Sequence, residues 1–109
     1  MKFICPLIVV DDIEVSRGFY ENILSQKVKY DYGENVIFEG DFSIHLKSHF
    51  SDLINSRPED IIQKSNNTEL YFEEDNLESL LDKLKDIGSS SCTIQKCYTF
   101  RYHEILIIL

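Results

Sequence analysis

The sequence predicts an α+β fold of two β-α-β-β-β-type repeats. Their curved mixed sheets frame a cup-shaped site, and the second repeat is shortened at its C-terminus. Three observations carry this reading. Leu7 to Val10 is an apolar run typical of a strand, and a helical pattern starts directly behind it, with apolar residues at Ile13, Phe19, Tyr20, Ile23 and Leu24. The same passage returns in the second half: Tyr71-Phe72-Glu73-Glu74 leads through Asp75-Asn76-Leu77-Glu78 into helical spacing as far as Ile87, so that Asp11 and Glu14 match Asp75 and Glu78 at one constant offset. Between these passages, turn residues divide the chain behind the first helix into three short strands.

Taken in order, the first strand covers residues 3–10. Pro6 removes one ladder donor there and marks an edge or an irregularity. Asp11 is the expected N-cap, because its carboxylate can accept orphan N–H groups of the first turn, and Glu14 completes a capping box. The helix then covers residues 12–24. Strands follow at 27–31, 35–39 and 42–47, separated by the hairpin signals Tyr32-Gly33-Glu34-Asn35 and Gly40-Asp41. The last of them alternates Phe42, Ile44 and Leu46 against Ser43, His45 and Lys47, which is strand period. Residues 48–67 form the crossover, with one or two helical turns around Phe50, Leu53 and Ile54 and a second short helix opened by Pro58. Residues 68–73 are a strand. Residues 76–87 make the clearest helix: Leu77, Leu80, Leu81, Leu84 and Ile87 share one face, and Gly88 is placed to cap it. Residues 89–109 are rich in β-formers but carry no Gly, Pro, Asn or Asp, so their strand count stays open. On this reading residues 1–109 are one domain, with repeat 1 over 3–47, the crossover over 48–67 and repeat 2 over 68–109.

A chain of 109 residues supports one modest core. Its net charge of −8 repels phosphate backbones, and no basic cluster interleaved with aromatics reverses that, so nucleic acid is not an expected partner. No apolar run approaches the ~20 residues of a membrane helix, and no basic start precedes a long apolar stretch. The expected location is cytoplasmic. The odd set Cys5, Cys92 and Cys97 then argues for reduced thiols.

The passage Ile8-Val9-Val10-Asp11-Asp12-Ile13, with Ser16, Phe19-Tyr20 and Leu24 behind it, resembles the opening signature of the vicinal oxygen chelate superfamily, the glyoxalase, bleomycin-resistance and dioxygenase proteins. Glu69-Leu70-Tyr71-Phe72, leading to Asp75-Asn76-Leu77 and a helix up to Gly88, is similar to the start of the family's second module. Members usually close with a Trp-Gly or Gly-containing turn, an Asp-Pro-Asp-Gly turn and a strand carrying a glutamate. This chain has no Trp and no Asp-Pro, so the resemblance covers residues 3–88.

The resemblance implies small-molecule binding in a β-cup. Metal-dependent members hold a divalent ion with side chains from four strands. The matching positions here are Cys5, His45, Glu69 and, on the final strand, Glu104. Such a set implies Zn, Ni, Mn or Fe acting as a Lewis acid on a small oxygenated substrate. The plainer alternative makes Cys5 a small packed hydrophobe, His45 a polar cup residue and Glu69 a solvated one. Strand alternation adds its own expectation: Cys5, Leu7, Ser43, His45, Lys47, Glu69 and Tyr71 line one pocket, with His45 and Glu69 as its polar anchors. The spacing of His45 and His49 reads as accidental, because one lies on a strand and the other past its end. Two function classes stay open: a glyoxalase-like, metal-dependent lyase, and a metal-free binder of the drug-sequestering kind or an inactive truncated relative. Family members commonly complete their cups with a second subunit, which together with open sheet edges implies a homodimer.

Overall fold

The structure, a computed structural model, describes residues 1–63, 68, 70–86, 94–100 and 103–108. It divides into two compact units, Met1–Gln63 and Lys64–Leu109.

The first unit opens with β1 (Leu7–Val10) and α1 (Ile13–Gly18). The expected first strand is therefore shorter by its first four residues, and Cys5 and Pro6 precede it. The helix is capped one residue later than expected: Asp12, not Asp11, accepts from the amides of Glu14 and Val15 at 3.0 and 3.1 Å. Behind Gly18 the helix widens into a π-helical turn, Phe19–Ile23, in which the Leu24 amide donates to the Phe19 carbonyl at 3.2 Å. β2 (Val28–Asp31), β3 (Asn35–Phe38) and β4 (Ser43–Leu46) then form a meander. The first hairpin turns at Gly33, whose φ of 84° suits glycine and whose amide donates to Asp31 Oδ1 at 2.8 Å. Asp41 supplies the positive φ of the second turn.

The sheet order is β1-β4-β3-β2, with β1 parallel to β4 and the other pairs antiparallel. The core lies on the sheet face that carries Val10, Val36, Phe38 and Ile44, all buried together with Tyr20, Leu24 and Phe42. Tyr20 brings the π-turn onto the sheet, its ring 5.4 Å from Phe38 and 5.3 Å from Phe42, which stack on each other at 4.9 Å. Removing one such ring costs about 3–5 kcal/mol in a typical core. Arg17 ties α1 to β2 through Asp31 at 2.6 Å.

β4 stops at Leu46, and α2 (Lys47–Leu53) starts on the next residue. Lys47 is thus the first residue of a helix, where a strand residue was expected. A short 3-10 turn, Pro58–Asp60, follows with the proline at its start.

The second unit contains β5 (Leu70–Glu74), α3 (Leu77–Asp86), β6 (Ile94–Phe100) and β7 (His103–Ile108), in the sheet order β5-β7-β6. Asn76 caps α3, its Oδ1 accepting from the Ser79 amide at 3.0 Å. Asp12 and Asn76 each stand one residue behind the expected caps, so the offset between the two halves survives the correction. Leu80 and Leu84 are buried, as the apolar stripe requires. Gly88, Ile87 and Cys92 lie outside the described residues. β6 and β7 pair as a hairpin, with Phe100 opposite His103. β5 runs antiparallel to β7, whereas β1 runs parallel to β4. Among the described residues the second unit has one strand fewer behind its helix, and removing one strand from a meander reverses the direction of the last. Among the described residues no helix is long and apolar enough to cross a membrane.

The cap assignment is testable. Asp12→Ala is expected to lower the unfolding free energy by about 1 kcal/mol in urea titrations, the usual worth of an N-cap. Asp11→Ala, which loses only an exposed ion pair, is expected to cost less. The opposite ranking would return the cap to Asp11.

Candidate functional site

β4 is bonded on both sides and is the most enclosed strand of the first unit. Adjacent side chains on a strand point to opposite faces. Ile44, fully buried, belongs to the core face with Val36, its partner across the ladder. His45 is therefore on the other face, and it too is buried, at 5% exposure. Its ladder neighbours are Val9 on β1 and Asn35 on β3.

Because α2 begins without a loop, its first turn folds back beside the residue that ends the sheet. His45 Nε2 and His49 Nδ1 meet at 2.7 Å, and the two rings stack with centroids 5.0 Å apart. Phe50 sets its ring edgewise to His45 at 5.8 Å. Ser51, fully buried, donates its hydroxyl to the Ser48 carbonyl at 2.9 Å. The spacing of His45 and His49, read from the sequence as accidental, is in fact a direct contact. The pattern missed it because a strand-to-helix junction without a linker was not anticipated. The four-residue spacing was the only available signal.

Asn35 completes the group. The Leu46 amide donates to the Glu34 carbonyl at 2.8 Å, so Glu34 and Leu46 form a bonded pair and Asn35 and His45 the neighbouring non-bonded pair. In such pairs the Cα atoms are only about 4.5 Å apart and the side chains sit close. Asn35 Oδ1 and His45 Nδ1 are nevertheless both buried without a hydrogen-bond partner. An unsatisfied buried polar atom typically costs about 1–3 kcal/mol. Burial holds the His45 pKa below its ordinary value, and the neighbouring His49 lowers it further; Glu34 pulls weakly the other way.

The other expected site residues fall in different places. Lys47 does not join His45: its Nζ pairs with Asp11 at 2.6 Å and donates to Gln63 Oε1 at 3.0 Å. Gln63 in turn donates to the Val9 carbonyl at 3.0 Å. Cys5 is a half-buried free thiol ahead of β1. Leu7 lies opposite Ser43 and is 42% exposed. Tyr71 is exposed on β5. Glu104 stands on β7 opposite Glu74. Glu69 lies outside the described residues.

The donors that are described do not fit a divalent-metal site. Zinc takes three or four protein ligands. Among the described residues no three His, Cys, Asp or Glu side chains gather, and His45 and His49 are engaged with each other through one nitrogen each. No chemical step is assigned to a metal here.

Comparison with known proteins places this geometry in context. The family described as glyoxalase-like domain matches residues 3–100. A protein of unknown function from Agrobacterium tumefaciens str. C58 has a similar structure at TM-score 0.67, with 23% identity over 97% of this chain and 82% of that one. An integron cassette protein from the mobile metagenome of V. Cholerae is similar at TM-score 0.45, with 19% identity over 97% of this chain and 83% of that one. No curated protein matches the sequence significantly.

A pH dependence follows from the site. Folding holds His45 neutral, with a pKa below the ordinary 6.5. Between those two values the unfolded chain binds the extra proton, so stability falls as pH drops through 6.5 and levels off once folded His45 is protonated. Asp31 acts at lower pH. The Gly33 amide and then Arg17 hold its pKa below 3.8, and that contribution is lost as pH falls through the folded value. Melting temperatures measured from about pH 8 to about pH 5 should therefore fall, and His45→Gln should flatten the curve in that range. An unchanged slope in the variant would remove His45 as the cause.

Proposed function

The chain belongs to the glyoxalase-like domain family, within the vicinal oxygen chelate superfamily, and on that premise we propose that it binds a small polar molecule, without a metal, at the His45–Asn35 face of its first unit. One observation carries the reading: two buried polar atoms on neighbouring strands, His45 Nδ1 and Asn35 Oδ1, are left without partners. Native folds satisfy nearly all such atoms, and the exceptions call for a ligand, an ordered water or a functional role. His49 and Phe50 close one side of the imidazole and fix its orientation. Leu7 and Ser43, which share the alternation of Val9 and His45, extend the same face. Cys5, in the same unit, remains a proposed contributor from the family pattern. The second subunit of a homodimer is part of this proposal, resting on the outer edge of β2, which ends the sheet order of the first unit.

The test is nuclear magnetic resonance of histidine-labelled protein titrated with a panel of small amides, amines, alcohols and carboxylates. Binding should move the His45 ring resonances for at least one class, and His45→Ala should abolish the effect. Val15→Ala, at an exposed helix position, should preserve it. A panel that leaves the ring untouched sinks the reading. Titration with Zn, Ni, Mn and Fe(II) serves as the competing arm: micromolar binding lost in His45→Ala would replace the metal-free reading with the metal-dependent lyase.

Assembly is checked separately. Light scattering at micromolar concentration is expected to return twice the 12.8 kDa chain mass. Monomer mass throughout that range would remove the second subunit from the proposal.

A further inference from the structure

We propose that the ligand of the first unit is a neutral aromatic amide, its amide at Asn35 and His45 and its ring against the stacked rings of Tyr30 and Tyr32. This rests on the binding reading above and specifies its ligand. The register of the first sheet brings the four side chains to one face. Asp31 lies opposite the buried Val36 and reaches Arg17 on α1, so it belongs to the core face. Its neighbours Tyr30 and Tyr32 therefore point to the other face, the one that carries His45. The Tyr32 amide donates to the Asn35 carbonyl at 2.8 Å, which makes Tyr32 the cross-strand neighbour of Asn35. Asn35 in turn lies opposite His45. One row thus crosses the sheet through Tyr32, Asn35 and His45. Tyr30 stands one step along on the same face, opposite Ile37.

The two tyrosine rings stack with centroids 6.1 Å apart and planes 27° apart. They remain 52% and 63% exposed, whereas His45 is 5% exposed. An exposed ring pair alone is an ordinary feature of an edge strand, and the unpaired polar atoms alone admit many hydrogen-bonding groups. Their adjacency in one row gives the ligand two ends. Hydrogen bonding sets the polar end. His45 Nδ1 and Asn35 Oδ1 are buried without partners. The Asn35 amide can both donate and accept, and the free His45 nitrogen does one or the other according to its tautomer. An amide carries an N–H and a C=O side by side and matches the pair in either tautomer. Charge favours a neutral group. Burying an ion beside His45 carries a large desolvation cost, and the net charge of −8 repels an anion further. The tyrosines set the other end, because a flat π-system stacks on them with a gain beyond the area it buries. Neighbouring strands are about 4.8 Å apart, so Tyr32 and His45 stand roughly 10 Å apart, the span of one ring, its amide and a contact distance.

The experiment uses the full chain at about pH 7.5, where His45 is neutral. The probes are benzamide, cyclohexanecarboxamide, which keeps the amide but lacks the flat ring, and benzoate, which keeps the ring but is an anion. Nuclear magnetic resonance of histidine- and tyrosine-labelled protein reads both ends at once. Benzamide should move the ring resonances of His45, Tyr30 and Tyr32 together. It should bind about two- to tenfold more tightly than cyclohexanecarboxamide, the range for one aromatic pair. Benzoate should leave His45 unmoved. Tyr32→Leu keeps an apolar side chain at an exposed position, so the fold should stand, as an unchanged melting temperature would verify. This variant should remove the preference for benzamide and spare cyclohexanecarboxamide. Equal affinity for the two amides, or a benzamide preference that survives both Tyr30→Leu and Tyr32→Leu, would overturn the ligand class while leaving binding at His45 standing. Tyrosine shifts that persist in His45→Ala would overturn it as well, because the ring pair would then act alone. Silence from every probe, in a protein that also ignores the wider panel, would overturn the binding reading itself.

Discussion

Ile44 and His45 are neighbours on β4, and both are buried, one at 0% and the other at 5% exposure. A strand sends them to opposite faces, so the two burials are one fact seen from two sides. A slip of one residue in the pairing of β4 would exchange them, placing an imidazole against Tyr20, Val36 and Phe38 and an isoleucine beside Asn35. The aromatic cluster of Tyr20, Phe38 and Phe42 forbids this, since each fully buried apolar side chain contributes about 1.5–3 kcal/mol and the slip would forfeit several. The core thereby sets the register, and the register sets the position of the histidine. What looks like a local polar group depends on packing on the far side of the sheet.

The same register places the start of α2. β1 is an edge strand, bonded only to β4. The Ser43 amide takes the Pro6 carbonyl, so by alternation the Val9 carbonyl points away from β4, toward the open edge. Gln63 covers that carbonyl with its side-chain amide, and Lys47 spans Gln63 and Asp11. Three segments are fastened there: the end of β1, the first residue of α2 and the end of the connector. Lys47 thus has a structural role, and the turn carrying His49 and Phe50 is held where it can meet His45. The Lys47–Asp11 pair is partly exposed and contributes modestly alone; its value lies in joining a hydrogen-bonded chain that covers an edge.

Much of this architecture was legible in the sequence. The strand-to-helix turn, the two hairpins and the alternation that buries Phe42 and Ile44 all rest on local patterns that tertiary contacts left intact. The misses are equally physical. Asp11 and Asp12 are both good N-caps, and composition alone does not choose between them; in the structure Asp12 caps the helix while Asp11 pairs with Lys47, far along the chain. The hairpin of β6 and β7 has no Gly, Pro, Asn or Asp to announce it, so the count of final strands was unreadable locally. Among the described residues the second unit has one strand fewer behind its helix, and its first and last strands pair antiparallel, which hydrophobic pattern cannot reveal.

The candidate site was legible by halves. His45 stood out through strand alternation, but His49 and Asn35 did not. His49 depends on a helix starting where a strand stops, and Asn35 on a hairpin register accurate to one residue. Those two features decide the chemistry. An isolated buried histidine is a generic polar residue, able to donate from one nitrogen and accept at the other. His49 engages one nitrogen, while the second, like Oδ1 of the facing Asn35, is buried without a partner. The family resemblance left a metal-held oxygenated ligand and a metal-free one both open, and the proposal of metal-free binding rests on the two unpartnered atoms rather than on that resemblance.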